Sequence, residues 1–277
     1  MKKLFYSLFL AVIALASCQT LDPENRNQGN TDNPDPIKDT VVVPSKPVDS
    51  TIVVGVCPCG IGSSSKKVYE KCLGDVNAKV VFFSQYAFDT ALADDYVYQV
   101  DAIIVPGSFT NDDDNRAQSD DNIIRAALEE KKPLLGICFG HQRINKVLGG
   151  NILKVKDKYP ESTIEHKIKD ASGNVGLYTD AHSISIEKNS NLYHCLGDET
   201  SIMVNTSHDY CAYKISPKLR VVATAPDGVV EGLEGDGIMC VQFHPEHLYG
   251  TMNKPVFLGI FEKLVNDAKA AKFPENK

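Results

Sequence analysis

One short stretch constrains the fold of this chain more than any other part of the sequence. Residues Leu134–Gln142 read LLGICFGHQ, and the apolar residues from Ile144 onward recur at helical spacing. A short apolar run is typical of a buried strand, and the later spacing is typical of a helix. Cys138 stands at the joint, with Gly136 two residues before it and Gly140 two residues after it. The stretch therefore predicts a strand that turns directly into a helix, with Cys138 at the corner.

This corner suits a reactive thiol. A strand-to-helix corner strains the backbone of its central residue, and only neighbours without side chains let the chain approach itself there. The corner also places the thiol at a helix N-terminus, where backbone N–H groups and the helix dipole favour the thiolate. The alternative interpretation is a buried structural cysteine between two packing glycines.

A candidate base lies near the C-terminus, in the run Ile238–Glu246, which reads IMCVQFHPE. A reactive cysteine needs a base within hydrogen-bond distance, and the base needs a group that orients it. Pro245 disfavours a helical conformation for His244, so we expect an extended segment in which His244 and Glu246 face the same way. A carboxylate beside an imidazole fixes its tautomer and stabilises its charged form. The sequence therefore predicts a Cys-His-Glu triad of Cys138, His244 and Glu246.

These motifs resemble the class I glutamine amidotransferase superfamily. The resemblance rests on Gly136–Gln142 and His244–Glu246, and Ala181–Ile184, Val204–His208 and Val222–Glu231 are similar to its γ-glutamyl-γ-aminobutyrate hydrolase branch. It extends over roughly residues 51 to 268. It implies an α/β fold with a mostly parallel central sheet flanked by helices, the flavodoxin-like fold of that superfamily. A small antiparallel strand region is expected in addition.

The resemblance also implies an activity. It predicts a cysteine-dependent hydrolase that cleaves γ-glutamyl amide bonds through a γ-glutamyl thioester on Cys138. Negative charge develops on the attacked carbonyl oxygen, and two backbone N–H groups would stabilise it. In this chain the resemblance assigns those groups to Gly107 and Phe139.

The same resemblance suggests how the substrate is held. Gln142 matches a family position that contacts the glutamyl group, and Ser207, His208 and Tyr210 fall where the family lines its substrate pocket. The hydrolase branch tends to have two histidines and a glutamine where this chain has His208-Asp209-Tyr210. Two other functions therefore stay open. One is a non-catalytic, ligand-binding lipoprotein that retains the fold. The other is a glutaminase-type amidotransferase subunit, because an elbow with His141 is more similar to the elbow of synthetase-linked glutaminases.

The N-terminus has the pattern of an export signal. A basic start precedes the apolar run Leu4–Ala16, which is too short for a permanent membrane span. Leu15–Cys18 resembles a bacterial lipobox, so we expect residues 1–17 to be a lipoprotein signal peptide and Cys18 to be lipidated. Gln19 follows the cysteine where an inner-membrane retention signal would have aspartate. The protein is therefore expected to be an exported lipoprotein of the outer membrane, facing the periplasm or the surface. An ordinary signal peptide is the alternative.

Composition sets the remaining expectations. Residues 18–50 are rich in Asn, Asp, Pro and Thr, which predicts a flexible linker, and residues 51–277 can form one domain with a sizeable core. The 29 basic residues face 36 acidic ones, a balance that argues against a nucleic-acid partner. Cys57-x-Cys59 lacks a second pair at zinc-like spacing, so the sequence predicts no metal and no cofactor. The expected partners are a small γ-glutamyl substrate and the lipid anchor, and the oligomeric state stays open.

Alternating strands and helices are predicted from residue 51 to Cys138, including a short helix at Phe88–Leu92. Residues 151–235 look richer in strands. Two further polar features favour structural interpretations. We expect His182 to be a buried structural histidine and Asp112–Asp114 to be a solvated loop, although both lie in segments that could face a pocket.

Overall fold

The computed structural model describes residues 50–58, 63–108, 114–169 and 176–274. The strands are β1 (Ile52–Val56), β2 (Ala78–Phe82), β3 (Ala102–Val105), β4 (Leu134–Ile137), β5 (Asn151–Lys154), β6 (His182–Ile186), β7 (Ser201–Val204), β8 (Tyr210–Lys214), β9 (Arg220–Thr224), β10 (Val230–Gly235) and β11 (Ile238–Val241). The helices are α1 (Ser63–Asp75), α2 (Thr90–Tyr98), α3 (Asp114–Glu129), α4 (Phe139–Val147), α5 (Val155–Lys158), α6 (Asn191–Cys195), α7 (Pro245–Gly250) and α8 (Leu258–Lys272), with a 3-10 turn at Pro255–Phe257. The predicted signal peptide, Cys18, Cys59 and Asp112–Asp113 lie outside the described residues.

Nine of the described strands form one sheet, in the order β2-β1-β3-β4-β11-β10-β9-β6-β7. The first five are parallel to one another, and the strands from β10 to β7 continue the sheet with antiparallel pairs. The predicted α/β fold class is confirmed. Most of the antiparallel strands belong to the main sheet, and β5 and β8 form a separate antiparallel pair.

The central strands are apolar on both faces because helices cover both sides of the sheet. All four residues of β3, of β4 and of β11 are buried. Side chains of α1 and α8 pack in one apolar cluster, and those of α2, α3 and α4 pack in the other. Within the described ranges, no helix combines the length and the apolar content that crossing a membrane requires.

The helix predicted at Phe88–Leu92 is longer and begins later, at Thr90. Its start is set by Asp89, whose carboxylate accepts a hydrogen bond of 2.8 Å from the backbone N–H of Leu92. The prediction was wrong about Phe88, which lies before this cap and is half exposed. Apolar spacing alone did not reveal the capping residue.

Three neighbouring parallel strands end at the same edge of the sheet. Gly107 follows β3, Cys138 follows β4, and His244 comes shortly after β11. The order β3-β4-β11 makes these strands adjacent, although β11 lies about a hundred residues further along the chain. Ligands of open α/β sheets bind at the carboxyl ends of the parallel strands. The fold therefore brings the three predicted positions to one edge.

Candidate active site

Cys138 occupies the predicted corner between β4 and α4. Its backbone has φ 52° and ψ −101°, and its N–H donates to the carbonyl of Val241 over 2.8 Å. A positive φ in a residue other than glycine costs on the order of 1–3 kcal/mol. The corner also needs Gly140, because a Cβ atom there would overlap the carbonyl of Val105. The predicted elbow is confirmed, and the helix begins directly after the cysteine, at Phe139.

The structure brings Cys138, His244 and Glu246 together. The Nδ1 atom of His244 lies 2.9 Å from Oε1 of Glu246, and the Cys138 sulfur lies close enough to the imidazole to raise its pKa. Nδ1 is occupied by the carboxylate, so Nε2 is the nitrogen left for the sulfur. Cys138 and His244 are 4% and 5% exposed. The thiol therefore lies beside an oriented imidazole.

The route to this contact differs from the prediction. The segment after His244 is not extended: His244 caps helix α7, Pro245 is its first residue and Glu246 lies in its first turn. Proline favours the first position of a helix, and an acid in the first turn is stabilised by the helix dipole. The prediction was wrong because Pro245 restricts only the residue before it.

Charge stabilises the imidazolium form of His244. Burial alone lowers its pKa, but Glu246 and then Cys138 raise it to about 10. Burial in turn raises the pKa of Glu246, and the nearby His244 lowers it below its usual value. His244 is therefore protonated at neutral pH and Glu246 is ionised.

A buried asparagine holds the backbone of His244. Asn205 accepts a hydrogen bond of 2.9 Å from the His244 N–H and donates one of 3.1 Å to the His244 carbonyl. It also donates to the carbonyl of Leu177 over 2.7 Å. Asn205 directly follows β7, so it ties the outer antiparallel strands to the imidazole. It lies in the Val204–His208 segment, but its contact with His244 is not predictable from that motif.

Gly107 and Phe139 flank the thiol. A Cβ atom on Gly107 would lie 2.6 Å from Cε1 of His244 and 3.5 Å from Cβ of Cys138, so glycine is required there. Phe139 is the first residue of α4, where backbone N–H groups have no acceptor within the helix. Both predicted oxyanion positions are therefore next to the sulfur.

Arg116 links these two positions, and no motif in the sequence indicates this role. Its guanidinium donates to the carbonyls of Gly107 over 2.9 Å and Pro106 over 2.7 Å, and it lies 4.7 Å from the ring centre of Phe139. Arg116 is 1% exposed and pairs with the buried Asp120 at 3.2 Å. One planar group therefore fixes the turn after β3 and the start of α4 together.

A pocket of about 190 Å³ opens at Cys138. Its lining consists of Ser108, Asp114, Ala117, Cys138, Phe139, Gln142, Arg143, Lys146, Ile152, Ser207, His208, Asp209 and Tyr210. All four predicted substrate-contacting residues are in this set. The pocket carries both signs of charge, as the binding of a zwitterionic amino-acid group would require.

Several lining groups already have partners. Gln142 donates to the carbonyl of Tyr210 over 2.8 Å, and the Ser207 carbonyl oxygen lies 3.8 Å from the Cys138 sulfur. Arg143 pairs with Asp121 at 2.5 Å. Lys146 is exposed and forms an ion pair with no acid among the described residues. Its ammonium group is therefore available to an anionic ligand.

A second polar cluster lies behind the pocket. We call His166, His182, His208 and Glu231 the histidine–glutamate cluster, and all four are buried. Three of these residues, His166, His208 and Glu231, offer atoms close enough together to hold a metal ion. His182 is buried, as predicted for a structural histidine. His141 is fully buried and does not line the pocket, so it has no contact with a ligand there.

Comparisons with known proteins identify the family of this chain. The family model for peptidase C26 matches residues 63–246. The chain is 27% identical over 217 residues to γ-glutamyl-γ-aminobutyrate hydrolase PuuD of Escherichia coli, covering 70% of this chain and 85% of PuuD. It is 31% identical over 128 residues to the protein NtpR of Enterococcus hirae, covering 45% of this chain and only 51% of NtpR.

The fold is similar to that of solved structures. A glutamine amidotransferase from Thermotoga maritima superposes with a TM-score of 0.57 and 12% identity, covering 79% of this chain and 98% of the other. An identity this low supports the fold alone. The match of the family model covers well over half of the chain and contains both Cys138 and His244. The chain therefore belongs to the peptidase C26 family and has the fold of the class I glutamine amidotransferases.

Proposed function

We propose that the protein hydrolyses γ-glutamyl amide bonds with Cys138 as nucleophile. The observation that carries the proposal is the adjacent Cys138 and His244 side chains, with Cys138 in the lining of a pocket that carries both signs of charge. A γ-glutamyl group has an α-ammonium and an α-carboxylate, which need such a lining. The similarity to PuuD, a γ-glutamyl-γ-aminobutyrate hydrolase, supports the same substrate class.

The proposed reaction has two steps. The Cys138 sulfur attacks the δ-carbonyl carbon, and the N–H groups of Gly107 and Phe139 stabilise the oxyanion. The C–N bond then breaks, His244 protonates the departing amine, and a γ-glutamyl thioester remains on the sulfur. In the second step water attacks the thioester, His244 accepts a proton from it, and the sulfur leaves as the thiolate. Glutamate is released and the pair is restored.

The experiment is a screen of γ-glutamyl compounds with mass detection of the products. We expect free glutamate and the free amine from γ-glutamyl-γ-aminobutyrate or from γ-glutamyl peptides, and none from the matching α-glutamyl isomers. Release of ammonia from glutamine alone would favour the glutaminase-type alternative. Failure to cleave any γ-linked compound would leave a ligand-binding protein and contradict the proposal.

We further propose that Glu246 keeps His244 protonated before the amine departs, so that the imidazole can act as the acid. Glu246 is the largest influence that raises the pKa of His244 to about 10. In Glu246→Gln that influence is absent, so the alkaline limb of the rate profile is expected to move to lower pH. We expect kcat/KM at neutral pH to fall by about 10²–10⁴-fold, because the imidazole also loses its orienting carboxylate. A pH–rate profile measures both effects.

The control for this variant is Glu262→Gln, which removes the same charge from an exposed position of α8. Its profile should match that of the parent chain. An unchanged alkaline limb in Glu246→Gln would contradict the proposed role.

We also propose that the chain is exported and anchored through Cys18, which lies outside the described residues. Support comes from the sequence pattern alone. Incorporation of labelled palmitate that is lost in Cys18→Ser is the expected result, and equal labelling of both chains would contradict it.

A further inference from the structure

We propose that the histidine–glutamate cluster is a zinc site, with His166, His208 and Glu231 as ligands and His182 beside them. The three imidazoles converge on a single carboxylate oxygen of Glu231. Their distances to Oε1 are 3.5 Å from His166 Nδ1, 3.7 Å from His182 Nε2 and 3.6 Å from His208 Nε2. This site is separate from the thiol chemistry.

Hydrogen bonding alone does not account for this arrangement. Charge-assisted hydrogen bonds between imidazole and carboxylate are about 2.7–2.9 Å long, and all three distances are longer. Among the described residues, the three inward nitrogens and both Glu231 oxygens have no hydrogen-bond partner, although all are buried. Such unpartnered buried atoms are costly, and four of them point at one another.

The hydrogen bonds of the outer ring nitrogens determine which nitrogen of each histidine faces Glu231. His166 Nε2 lies 3.0 Å from Oδ2 of Asp227, His182 Nδ1 lies 3.2 Å from the Ser183 carbonyl, and His208 Nδ1 lies 3.0 Å from the Tyr210 carbonyl. Each of these partners is a hydrogen-bond acceptor, so each outward nitrogen carries a proton. An imidazole in this tautomer presents the lone pair of its other nitrogen toward Glu231. Metal-binding histidines almost always show this outer partner.

A divalent cation resolves the resulting repulsion. Lone pairs from three imidazoles and a carboxylate would otherwise face each other in a buried space. One Zn²⁺ with Glu231 leaves a single positive charge, which Asp227 behind His166 balances. The complete group would then be neutral.

The spacing and the ligand types indicate zinc. With Zn–N distances of about 2.0–2.1 Å, tetrahedral donors lie about 3.3 Å apart, close to the separations from Oε1. The donor atoms of His166, His208 and Glu231 lie within 4.8 Å of one another, so metal ligation would draw them together by up to about 1.5 Å. Three protein ligands leave a fourth position on a tetrahedral ion, which faces the neighbouring His182 or a water. The ion would join the three segments that carry its ligands and so support the fold.

The site would stiffen one wall of the substrate pocket. The His208 N–H donates to the His166 carbonyl over 2.7 Å, and a bridge pairs Lys167 with Ser207. Ser207 and His208 line the pocket beside Cys138. A metal that joins His166 to His208 would therefore hold this wall at a fixed distance from the thiol.

The test measures metal content directly. The full chain is purified without a histidine tag and with Cys138→Ala, so that no thiol lies next to His244. It is stripped with a chelator, loaded with Zn²⁺ and desalted before elemental analysis. We expect about one zinc ion per chain and a Tm that rises by about 5–10 °C on loading. Loading with Co²⁺ should give the visible absorption bands of a tetrahedral site.

Two variants and two controls locate the ion. His166→Ala and Glu231→Gln should each weaken zinc binding at least about tenfold. His194→Ala removes an exposed histidine that pairs with Asp198, and Cys59→Ser breaks the Cys57-x-Cys59 pair; both should retain the metal. Zinc content far below one per chain after loading, or content unaffected by both ligand variants, overturns the proposal.

If the ligand variants do not fold, the deciding measurement is the cobalt spectrum of the full chain with Cys138→Ala. The absence of tetrahedral bands in that spectrum overturns the proposed site. Because this chain lacks the nucleophile, the result does not depend on γ-glutamyl hydrolysis.

Discussion

Cys138→Ala is expected to lower kcat/KM for a γ-glutamyl amide by at least about three orders of magnitude. The proposed reaction passes through a bond to the Cys138 sulfur, and removing a nucleophile that acts as a unit with its base abolishes most of the rate enhancement. Stability should change little, because the side chain is small and the backbone is held by the Val241 carbonyl. The measurement is hydrolysis of a chromogenic γ-glutamyl anilide, with a melting curve as the check on folding.

A chemical probe gives an independent readout of the same sulfur. Acivicin, an electrophilic glutamine analogue, should label Cys138 faster than any other cysteine of the chain. Cys240 is the control, since it is fully buried and burial raises the pKa of its thiol, which keeps it unreactive. Equal hydrolysis by Cys138→Ala, or labelling that is no faster at Cys138 than elsewhere, would remove this residue from the mechanism.

Arg116→Leu is expected to be the most destabilising substitution near the site. It leaves the buried Asp120 carboxylate without its cation and frees the carbonyls of Pro106 and Gly107. Removing one partner of a buried ion pair costs about 3–5 kcal/mol of unfolding free energy. For a domain of this size the loss corresponds to a Tm lower by roughly 10 °C. Arg125→Leu, on an exposed face of the same helix, is the matched control.

The pH dependence of this loss has a definite sign. Burial raises the pKa of Asp120 to about 7 in the folded protein, even though Arg116 lowers it. A raised folded pKa contributes stability below the unfolded value of 3.8 and loses it as pH rises through the folded value. Without Arg116 the folded pKa is higher still. The deficit of Arg116→Leu relative to the parent chain should therefore grow as pH rises above 7, and a deficit independent of pH would contradict this account.

Arg116→Lys separates positioning from stability. Lysine keeps the charge beside Asp120 but cannot donate in a planar fork to both carbonyls. We expect kcat to fall while KM changes less, because the oxyanion donors lose their alignment and the substrate pocket keeps its lining. A fall in stability with unchanged kcat would show that Arg116 is only structural.

The sequence could predict the parts of the site that depend on local patterns. The elbow at Cys138 follows from glycine spacing around a strand and a helix. The His244–Glu246 contact follows from two residues of one short segment, although the segment is helical where an extended chain was expected. The parallel part of the sheet follows from alternating apolar runs.

The remaining features depend on contacts between distant segments. Asn205 contacts His244 only because β7 and β11 belong to the same sheet. Arg116 in α3 contacts the ring of Phe139 in α4, a different helix. The histidine–glutamate cluster contains one residue from each of four separate segments, so no motif of closely spaced residues predicts it. The periodicity of apolar residues and the spacing within motifs carry no information about contacts between distant segments.

The strained backbone at Cys138 has a practical consequence for anyone who handles the protein. A conformation with φ 52° is unfavourable for any side chain but free for glycine, so the residue that does the proposed chemistry weakens the fold that holds it. At this one position, the side chain that the proposed activity requires therefore lowers the thermal stability of the fold. A preparation whose nucleophile has been lost can melt as late as an active one, or later. Batches should accordingly be judged by titration of the active thiol and not by their melting temperature.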